Sequence, residues 1–350
     1  MTNKEILLIK NAIAKLDGKL KKLDVSHLNI SDYNKRYLKD YIDNYFFFMP
    51  LYEQLLQKVI YKLNKTVQES SFIDYGGGCG ILSFLAVEMG FKTVIYNDIY
   101  EVSTNDVKVI SKIINSSIDH FISGDIHELT SYINENNIDI DIISSFDVLE
   151  HIYDLDDWFL GVRKISKSFS LCFMTSANAQ NPYINRRLKK IHIKAEYIGS
   201  KIENGWKERD ANKPFLEIRK EIIAQNFKNL TEEKILILAK NTRGLFGEDI
   251  LNFCKKQLNF DQVKPAIKHP TNTCDPSTGN WAEHIIDLKE LRKLIENENT
   301  FVKFSNSFYS YSNNKIVNIP KYLFNFLMRL FGSQSLFLSA SYTLEIDYKN

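Results

Sequence analysis

The sequence predicts an α/β protein with a doubly wound parallel sheet, N-terminal helices and a helical insertion or cap. Three observations predict this class. Strand-like and helix-like patterns alternate from Ser71 to Thr175, which is typical of parallel sheets. A glycine-rich turn, Gly76 to Gly80, separates the first strand from the first helix of the series. Acidic residues follow several of the strands, at the edge where doubly wound sheets bind their ligands.

Residues 1–66 form the predicted N-terminal helical segment. Within it, a single long helix is predicted over 32–65, because aromatic and apolar side chains recur every four residues. These side chains are Tyr33, Tyr37, Tyr41, Tyr45 and Met49. The stripe indicates packing against the main domain. The alternative is that part of this segment covers a ligand cleft.

Residues 67–178 form the predicted core, in which short apolar strands alternate with helices. The strands are predicted at 72–73, 92–97, 120–122, 141–145 and 170–175, and the helices at 81–89, 102–114, 126–136 and 157–166. Residues 179–270 depart from this alternation and predict a helical insertion or substrate cap. A basic run at 186–190 indicates a solvated helix face, with a contact for an anionic substrate as the alternative.

Residues 271–350 are predicted to complete the sheet. Strand-like alternation recurs at 301–309 and 339–348, and a helix is predicted at 288–297. The stretch 319–331 is apolar nearly all round and predicts a buried or dimer-facing helix. A lid over an apolar substrate and a membrane-surface contact are the alternatives for this stretch.

The turn after the first strand has the pattern Asp-x-Gly-x-Gly-x-Gly at 74–80. Glycine lets the backbone approach a ligand closely or adopt a positive φ, and the helix that follows directs its N-terminus to the same place. The dinucleotide fingerprint Gly-x-Gly-x-x-Gly requires a third glycine where Ile81 stands. The turn therefore disfavours a nicotinamide-dependent dehydrogenase.

Four aspartates stand at the ends of the predicted strands: Asp74, Asp98, Asp125 and Asp147. The carboxyl ends of parallel strands meet at one edge, so these side chains are expected to line one ligand site. Asp98 follows the second strand, where an acid in a dinucleotide fold accepts hydrogen bonds from the ribose. The alternative for each acid is a loop residue that caps the next helix.

The composition is that of a globular protein, with 350 residues, 44% hydrophobic and 25% charged. A net charge of +2 is too small to indicate nucleic acid or an anionic membrane as a partner. The four cysteines form no Cys-x-x-Cys pair, which argues against a zinc site or a disulfide framework and favours a cytoplasmic location. No signal peptide is visible and no apolar run reaches transmembrane length, so stable membrane insertion is not expected.

These motifs, taken in order, resemble those of the class I S-adenosylmethionine-dependent methyltransferases. The resemblance rests on the glycine run at 74–80, on Asp98, on Gly124-Asp125, and on Asp-Val-Leu-Glu-His at 147–151. It covers residues 70–178 well and the C-terminal part of the chain loosely. The small-molecule branch that includes the ubiquinone-biosynthesis O-methyltransferases is the most similar. The chain departs from that pattern at 164–170, which lacks the usual glycine pair, and at 177–178, where Ala-Asn replaces Pro-Asn.

The resemblance implies a Rossmann-like core that binds S-adenosyl-L-methionine. The glycines would let the backbone approach the methionine portion, and the aspartate before them would support the turn or the ammonium group. Asp98 would accept hydrogen bonds from the ribose and Asp125 from the adenine amine, with Ile126 against the adenine ring. The implied cofactor-binding residues are Asp74, Gly76, Gly78, Gly80, Asp98, Ile99, Asp125, Ile126 and Phe146.

Methyl transfer needs mainly alignment of the reactants, but an oxygen nucleophile also needs its proton removed, often by a histidine. The resemblance implies one histidine after the fourth strand and one before the last helix, where His151 and His284 stand. The alternative for each is helix capping or a buried hydrogen bond. Related enzymes hold a divalent ion with Glu-x-x-Glu-His. Asp147, Glu150 and His151 are therefore an alternative divalent-ion site here, but the first position is the shorter Asp147, which disfavours a metal.

The sequence thus favours an enzyme that transfers a methyl group from S-adenosyl-L-methionine to a small-molecule acceptor, most simply to a hydroxyl. A methyltransferase-like protein that binds the cofactor without catalysis and a nicotinamide-dependent dehydrogenase are the alternatives. No nucleic-acid partner is expected, because the fourth strand is not followed by an Asn-Pro-Pro-Tyr type motif and no strongly basic face is evident. The oligomeric state is left open, a homodimer included.

Overall fold

The described residues form two structural units, and the first of them contains a seven-stranded sheet. The computed structural model describes residues 2–199, 213–258, 263–312 and 315–349. The first unit comprises Met1–Leu149, Leu155–Ser176 and Asp287–Asn350. The second comprises Glu150–Asp154 and Ala177–Ile286. Residues 271–286, which the sequence groups with the C-terminal part of the sheet, therefore belong to the second unit.

The strands of the sheet lie in the order β3-β2-β1-β4-β5-β7-β6. They are β1 (Ser71–Tyr75), β2 (Thr93–Asp98), β3 (His120–Ser123), β4 (Ile142–Phe146), β5 (Phe169–Thr175), β6 (Thr300–Asn306) and β7 (Tyr342–Tyr348). The first five strands are parallel, and β7 pairs antiparallel with both β5 and β6. The order reverses between β1 and β4, and this switch point is where such sheets bind ligands. The predicted fold class is confirmed.

Helices connect the parallel strands and cover the sheet. Those between strands are α4 (Ile81–Met89), α5 (Glu101–Ile113), α6 (Ile126–Glu135) and α7 (Leu155–Val162). Three precede the sheet, α1 (Asn3–Leu20), α2 (Asp32–Asp43) and α3 (Tyr45–Lys62), and two accompany its last strands, α12 (Leu288–Ile295) and α13 (Lys315–Phe331). β1 and β5 are buried along their whole length, as expected for strands covered on both faces. No helix in the described ranges has the length and hydrophobicity needed to cross a lipid bilayer.

The N-terminal helices share one hydrophobic core with the sheet. Leu16 of α1 and Leu55 of α3 are fully buried in the same cluster as Phe72 of β1. The predicted aromatic stripe packs as expected, but the single helix predicted over 32–65 is wrong. The helix breaks at Asn44, which adopts φ −111° and ψ 25°, and its side-chain amide donates to the Asp40 carbonyl oxygen (3.2 Å). Asparagine favours such local hydrogen bonds over helix continuation.

The second unit is helical. Its helices are α8 (Pro182–Tyr197), α9 (Phe215–Asn226), α10 (Glu232–Asn241) and α11 (Gly247–Gln257). Leu216, Ile223 and Leu238 belong to a separate hydrophobic cluster of this unit. The basic side chains predicted at 186–190 are exposed on α8. The parts of the predicted insertion at 200–212 and 259–262 lie outside the described residues.

A buried carboxylate fixes the N-terminal segment to the sheet unit. Asp106 of α5 accepts hydrogen bonds from the Ser31 backbone N–H (3.2 Å) and hydroxyl, and from the Asn34 side-chain amide (2.7 Å). Ser31 is also the N-cap of α2. The side chains of Asp106 and Asn34 are both buried. The start of α2 is therefore held to α5 by a polar contact rather than by apolar packing alone.

We expect Asp106→Ala to lower the free energy of unfolding on the order of 2–4 kcal/mol, because it leaves three donors without this acceptor. Urea denaturation measures the loss. Asp43→Ala is the matched control, since Asp43 is exposed and pairs with Lys39 (2.9 Å), a surface contact worth at most about 1 kcal/mol. Equal losses in the two variants would show that the Asp106 contact does not hold the segment.

Candidate functional site

The glycine turn leaves an open space beside Gly78. Gly76, Gly78 and Gly80 all have positive φ, at 68°, 53° and 84°. A Cβ at Gly76 would lie 2.6 Å from Val148, and a Cβ at Gly80 would lie 2.8 Å from Val107, so the chain's own packing requires glycine there. At Gly78, by contrast, no described atom outside this glycine and its two neighbours in the chain lies within 4 Å of that position. A ligand can therefore approach the backbone closely at Gly78.

Asp98 joins the end of β2 to this turn. Its carboxylate accepts hydrogen bonds from the Gly78 N–H (3.0 Å) and from the Tyr100 N–H (2.9 Å). A carboxylate can accept about four hydrogen bonds, so it can hold the turn and accept ligand hydroxyls together. Ile99, the next residue, is 59% exposed. An exposed apolar side chain beside an acid is suited to pack against the flat face of a heterocycle.

Asp125 is the N-cap of α6, which is the alternative that the sequence allowed for it. Its carboxylate accepts from the His127 N–H (2.6 Å), and Glu128 accepts from the Asp125 N–H (2.9 Å). Ile126, the first residue of α6, is only 2% exposed and packs against Gly161 of α7. The adenine contacts of Asp125 and Ile126 stay predictions, and the exposed Ile99 is better placed to meet a ring.

Phe146 and the N-terminal helices form an aromatic group at the end of β4. The Phe146 ring stacks on Tyr52 of α3, with ring centroids 4.7 Å apart. The Tyr52 hydroxyl lies 2.8 Å from the Tyr41 hydroxyl of α2, and burial raises the pKa of both phenols. Helices α2 and α3 thus reach the ligand edge of the sheet. Tyr52 is not among the residues predicted from the sequence, although it follows Met49 of the aromatic stripe by one helical turn.

Asp74 joins the end of β1 to the first turn of α4, on either side of the glycine turn. Support of the turn is one of the two roles predicted for it, and contact with the cofactor's ammonium group is the other. The Asp74 carboxylate accepts from the Ser83 N–H (2.9 Å) and the Ser83 hydroxyl (2.7 Å) in the first turn of α4. Only 2% of Asp74 is exposed. Burial, with the nearby charge of Asp98, raises the pKa of Asp74 to about 7. The carboxyl group is therefore partly protonated at neutral pH.

The two predicted histidines both lie in the second unit, where the structure brings them together around Trp281. His151 Nδ1 lies 3.0 Å from the Trp281 carbonyl oxygen, and the His284 ring stacks on the Trp281 ring at 4.3 Å. The His284 N–H donates to the Glu150 carbonyl oxygen (3.0 Å). Because a carbonyl oxygen only accepts, Nδ1 of His151 carries the hydrogen and Nε2 is the basic nitrogen.

His284 has a low capacity to accept a proton. Burial, with the neighbouring imidazoles of His269 and His192, lowers the pKa of His284 to about 4. A general base works best with a pKa near the working pH. His284 is therefore a weak proton acceptor at neutral pH, and its ring stacks on the same tryptophan whose carbonyl oxygen contacts His151.

One group of side chains in the second unit has the spacing of metal ligands. Glu150, His151 and Glu283 each offer a ligand atom, and these atoms lie within 4.8 Å of one another. Two carboxylates and one imidazole suit Mn²⁺, Fe²⁺ or Zn²⁺. Asp147, which stands at the first position of the metal-binding motif of the enzymes that the sequence resembles, is not among them. It accepts from the Ser176 N–H (2.6 Å) and donates its own N–H to the Met174 carbonyl oxygen (2.9 Å).

No protein-family model matches this chain, and no curated protein matches it. Among solved structures, a SAM-dependent methyltransferase from Aquifex aeolicus is 12% identical, with a TM-score of 0.28 over 34% of this chain and 62% of that one. A provisionally named RNA methyltransferase from Pyrococcus horikoshii is 20% identical, with a TM-score of 0.29 over 41% and 64%. A SAM-dependent methyltransferase from Agrobacterium tumefaciens is 14% identical, with a TM-score of 0.29 over 37% and 44%. The chain thus spans less than two thirds of the length of these structures.

The raised pKa of Asp74 predicts a specific pH dependence of stability. Between pH 4 and 7 the folded chain holds a proton on Asp74 that the unfolded chain has lost, so this group makes stability fall as pH rises, by up to about 1.4 kcal/mol per pH unit. Asp74→Asn removes this slope and keeps an oxygen that can accept from Ser83. We therefore expect the variant to gain stability relative to the natural protein from pH 5 to pH 7.

Chemical denaturation at pH 5, 6 and 7 measures this difference. The exposed Asp43 supplies the background, because Asp43→Asn makes the same chemical change in a side chain that is exposed in the folded protein. If the difference between Asp74→Asn and the natural protein stays constant across the three pH values, the carboxyl group is ionised in the folded chain throughout.

Proposed function

We propose that this chain is an S-adenosyl-L-methionine-dependent methyltransferase whose first unit binds the cofactor at the glycine turn. The observation that carries the proposal is the open space beside Gly78, with the carboxylate of Asp98 bonded to the same residue. Asp98 would accept the ribose hydroxyls, Ile99 would pack on the adenine, and the methionine portion would lie against Gly78. This turn follows β1 at the switch point of the sheet, where ligands of doubly wound folds bind.

Two features support this cofactor over a nicotinamide dinucleotide. Ile81 occupies the position of the third fingerprint glycine and is buried in the first turn of α4. The sheet also differs from the six-stranded dinucleotide order 3-2-1-4-5-6, because the antiparallel β7 lies between β5 and β6. Both of these features therefore disfavour the dehydrogenase alternative.

The proposed acceptor is a hydroxyl group on a small molecule. The cofactor supplies an activated methyl group, so the S–CH₃ bond breaks as an O–CH₃ bond forms, and S-adenosylhomocysteine leaves. The proton of the hydroxyl must go to a base, and His151 Nε2 is the basic nitrogen of a ring whose tautomer is set by the Trp281 carbonyl oxygen. We assign His284 to positioning, through its stack on Trp281.

We expect Gly78→Ala to weaken binding of S-adenosyl-L-methionine at least about tenfold, or about 1.4 kcal/mol, because the added methyl group fills the space assigned to the cofactor. Isothermal titration calorimetry measures the affinity. Gly332→Ala is the matched control, since Gly332 has the same φ of 53° and the same lack of atoms within 4 Å among the described residues. Both variants carry the same backbone strain, but the control should bind normally.

If Gly78→Ala binds as tightly as Gly332→Ala, the cofactor does not lie against this turn. Titration with NADH is run alongside on the natural protein. Binding of NADH in place of S-adenosyl-L-methionine would favour the dehydrogenase alternative.

Turnover measurements test the roles assigned to the two histidines. They follow the formation of S-adenosylhomocysteine with a panel of phenols and alcohols. We expect His151→Asn to lower kcat on the order of 10²–10⁴-fold, with unchanged cofactor affinity, because the base is lost. His284→Phe keeps an aromatic ring on Trp281 and should retain most of the activity. His120→Asn is the control, since His120 lies on β3 and bonds to Tyr132 (3.0 Å).

A larger loss in His284→Phe than in His151→Asn would make His284 the base. Chelation separates a base from a metal ligand at His151. Activity that disappears with EDTA and returns with Mn²⁺ would assign Glu150, His151 and Glu283 to a metal ion, and activity unaffected by EDTA supports the proton-transfer role.

A further inference from the structure

Helix α13 turns its apolar side away from the protein. Of the two possibilities predicted first from the sequence, a buried or a dimer-facing helix, the buried helix is therefore wrong. Seven large apolar or aromatic side chains of this helix are more than half exposed: Ile316, Ile319, Tyr322, Leu323, Phe326, Leu330 and Phe331. The buried residues of the helix are Asn318, Asn325 and Met328. The usual distribution of polar and apolar side chains on a surface helix is therefore reversed.

Two asparagines hold the helix to the first unit by its polar side. Asn325 accepts from the Tyr309 N–H (2.8 Å) and donates to the Tyr309 carbonyl oxygen (2.8 Å). Asn318 makes the same pair of bonds with the backbone of Ser312, at 2.9 and 2.6 Å. These paired backbone contacts fix the rotation of the helix about its axis. The outward direction of the apolar face is therefore set by specific hydrogen bonds.

The charged side chains between Glu298 and Glu345 are all basic. No aspartate or glutamate occurs between Glu298 and Glu345, whereas α13 contains Lys315, Lys321 and Arg329. The whole chain has a net charge of only +2, so this region is more basic than the rest. Long basic side chains can lie along an apolar surface with their charges at its rim.

We propose that α13 docks on the surface of an anionic lipid bilayer. Its exposed apolar face would enter the boundary between headgroups and acyl chains, and the exposed Lys315 would meet the anionic headgroups. Lys321 contacts the Ser310 carbonyl oxygen and Arg329 lies over the Phe308 ring, so these two add positive charge at the rim of the face. Tyr322 and the phenylalanines are the residue types that prefer this boundary. A second copy of the chain is a poorer occupant, because a two-fold interface would bring two helices of the same positive charge together. This surface role does not depend on the proposed methyl transfer.

Vesicle co-sedimentation tests the proposal without cofactor or acceptor. We expect the natural protein to sediment with vesicles of equal phosphatidylglycerol and phosphatidylcholine, and several-fold less with phosphatidylcholine alone or in 0.5 M NaCl. Leu323→Glu should reduce binding to the anionic vesicles at least tenfold. Leu160→Glu is the matched control, because Leu160 of α7 is 56% exposed and Leu323 is 55% exposed.

Circular dichroism and thermal unfolding check that both leucine variants remain folded, as expected for exposed positions. Equal vesicle binding by Leu323→Glu and the natural protein, or no binding by either, overturns the proposal. Light scattering after size-exclusion chromatography measures the molar mass in solution and so tests whether a second copy of the chain covers this face. A dimer of the natural protein that Leu323→Glu converts to a monomer, without vesicle binding, would assign the face to a second copy and would likewise overturn the proposal.

Discussion

The Asp74 carboxylate lies at the end of β1 and accepts two hydrogen bonds from Ser83, in the first turn of α4. Strand and helix are thereby joined across the glycine turn, and the Tyr96 hydroxyl adds a bond to the Gly78 carbonyl oxygen (2.7 Å). Burying an acid is unfavourable, as its raised pKa shows. The buried carboxyl group nevertheless fixes the backbone of the turn, in which Gly78 is open to a ligand. The proposed cofactor site depends on this contact.

Around the turn, the elements contribute in different ways. The ends of β2 and β4 bring Asp98 and Phe146 to the same edge, because the carboxyl ends of parallel strands coincide there. The N-terminal helices add the Tyr41 and Tyr52 pair. Their attachment includes the Asp106 network at the start of α2 as well as the shared hydrophobic core. A segment that packs as ordinary core thus also shapes the ligand edge.

The second unit and α13 show how backbone acceptors orient side chains. The Trp281 carbonyl oxygen selects the tautomer of His151, and the backbone of Tyr309 and Ser312 selects the rotation of α13. In the first case a hydrogen bond sets which ring nitrogen carries the hydrogen, and in the second it sets which helix face is exposed. Apolar packing alone would have turned α13 over, since burial of its apolar face is favourable.

Local patterns in the sequence were sufficient for the alternating strands and helices, for the glycine turn and for the acids at the strand ends. Each depends on a few adjacent residues, through periodicity and turn chemistry. The tertiary structure decided the rest: the place of β7 between β5 and β6, the meeting of His151 with Trp281, and the outward face of α13. These features depend on contacts between residues far apart in the chain or on the direction of single hydrogen bonds. Neither of these leaves a periodic signal in the sequence.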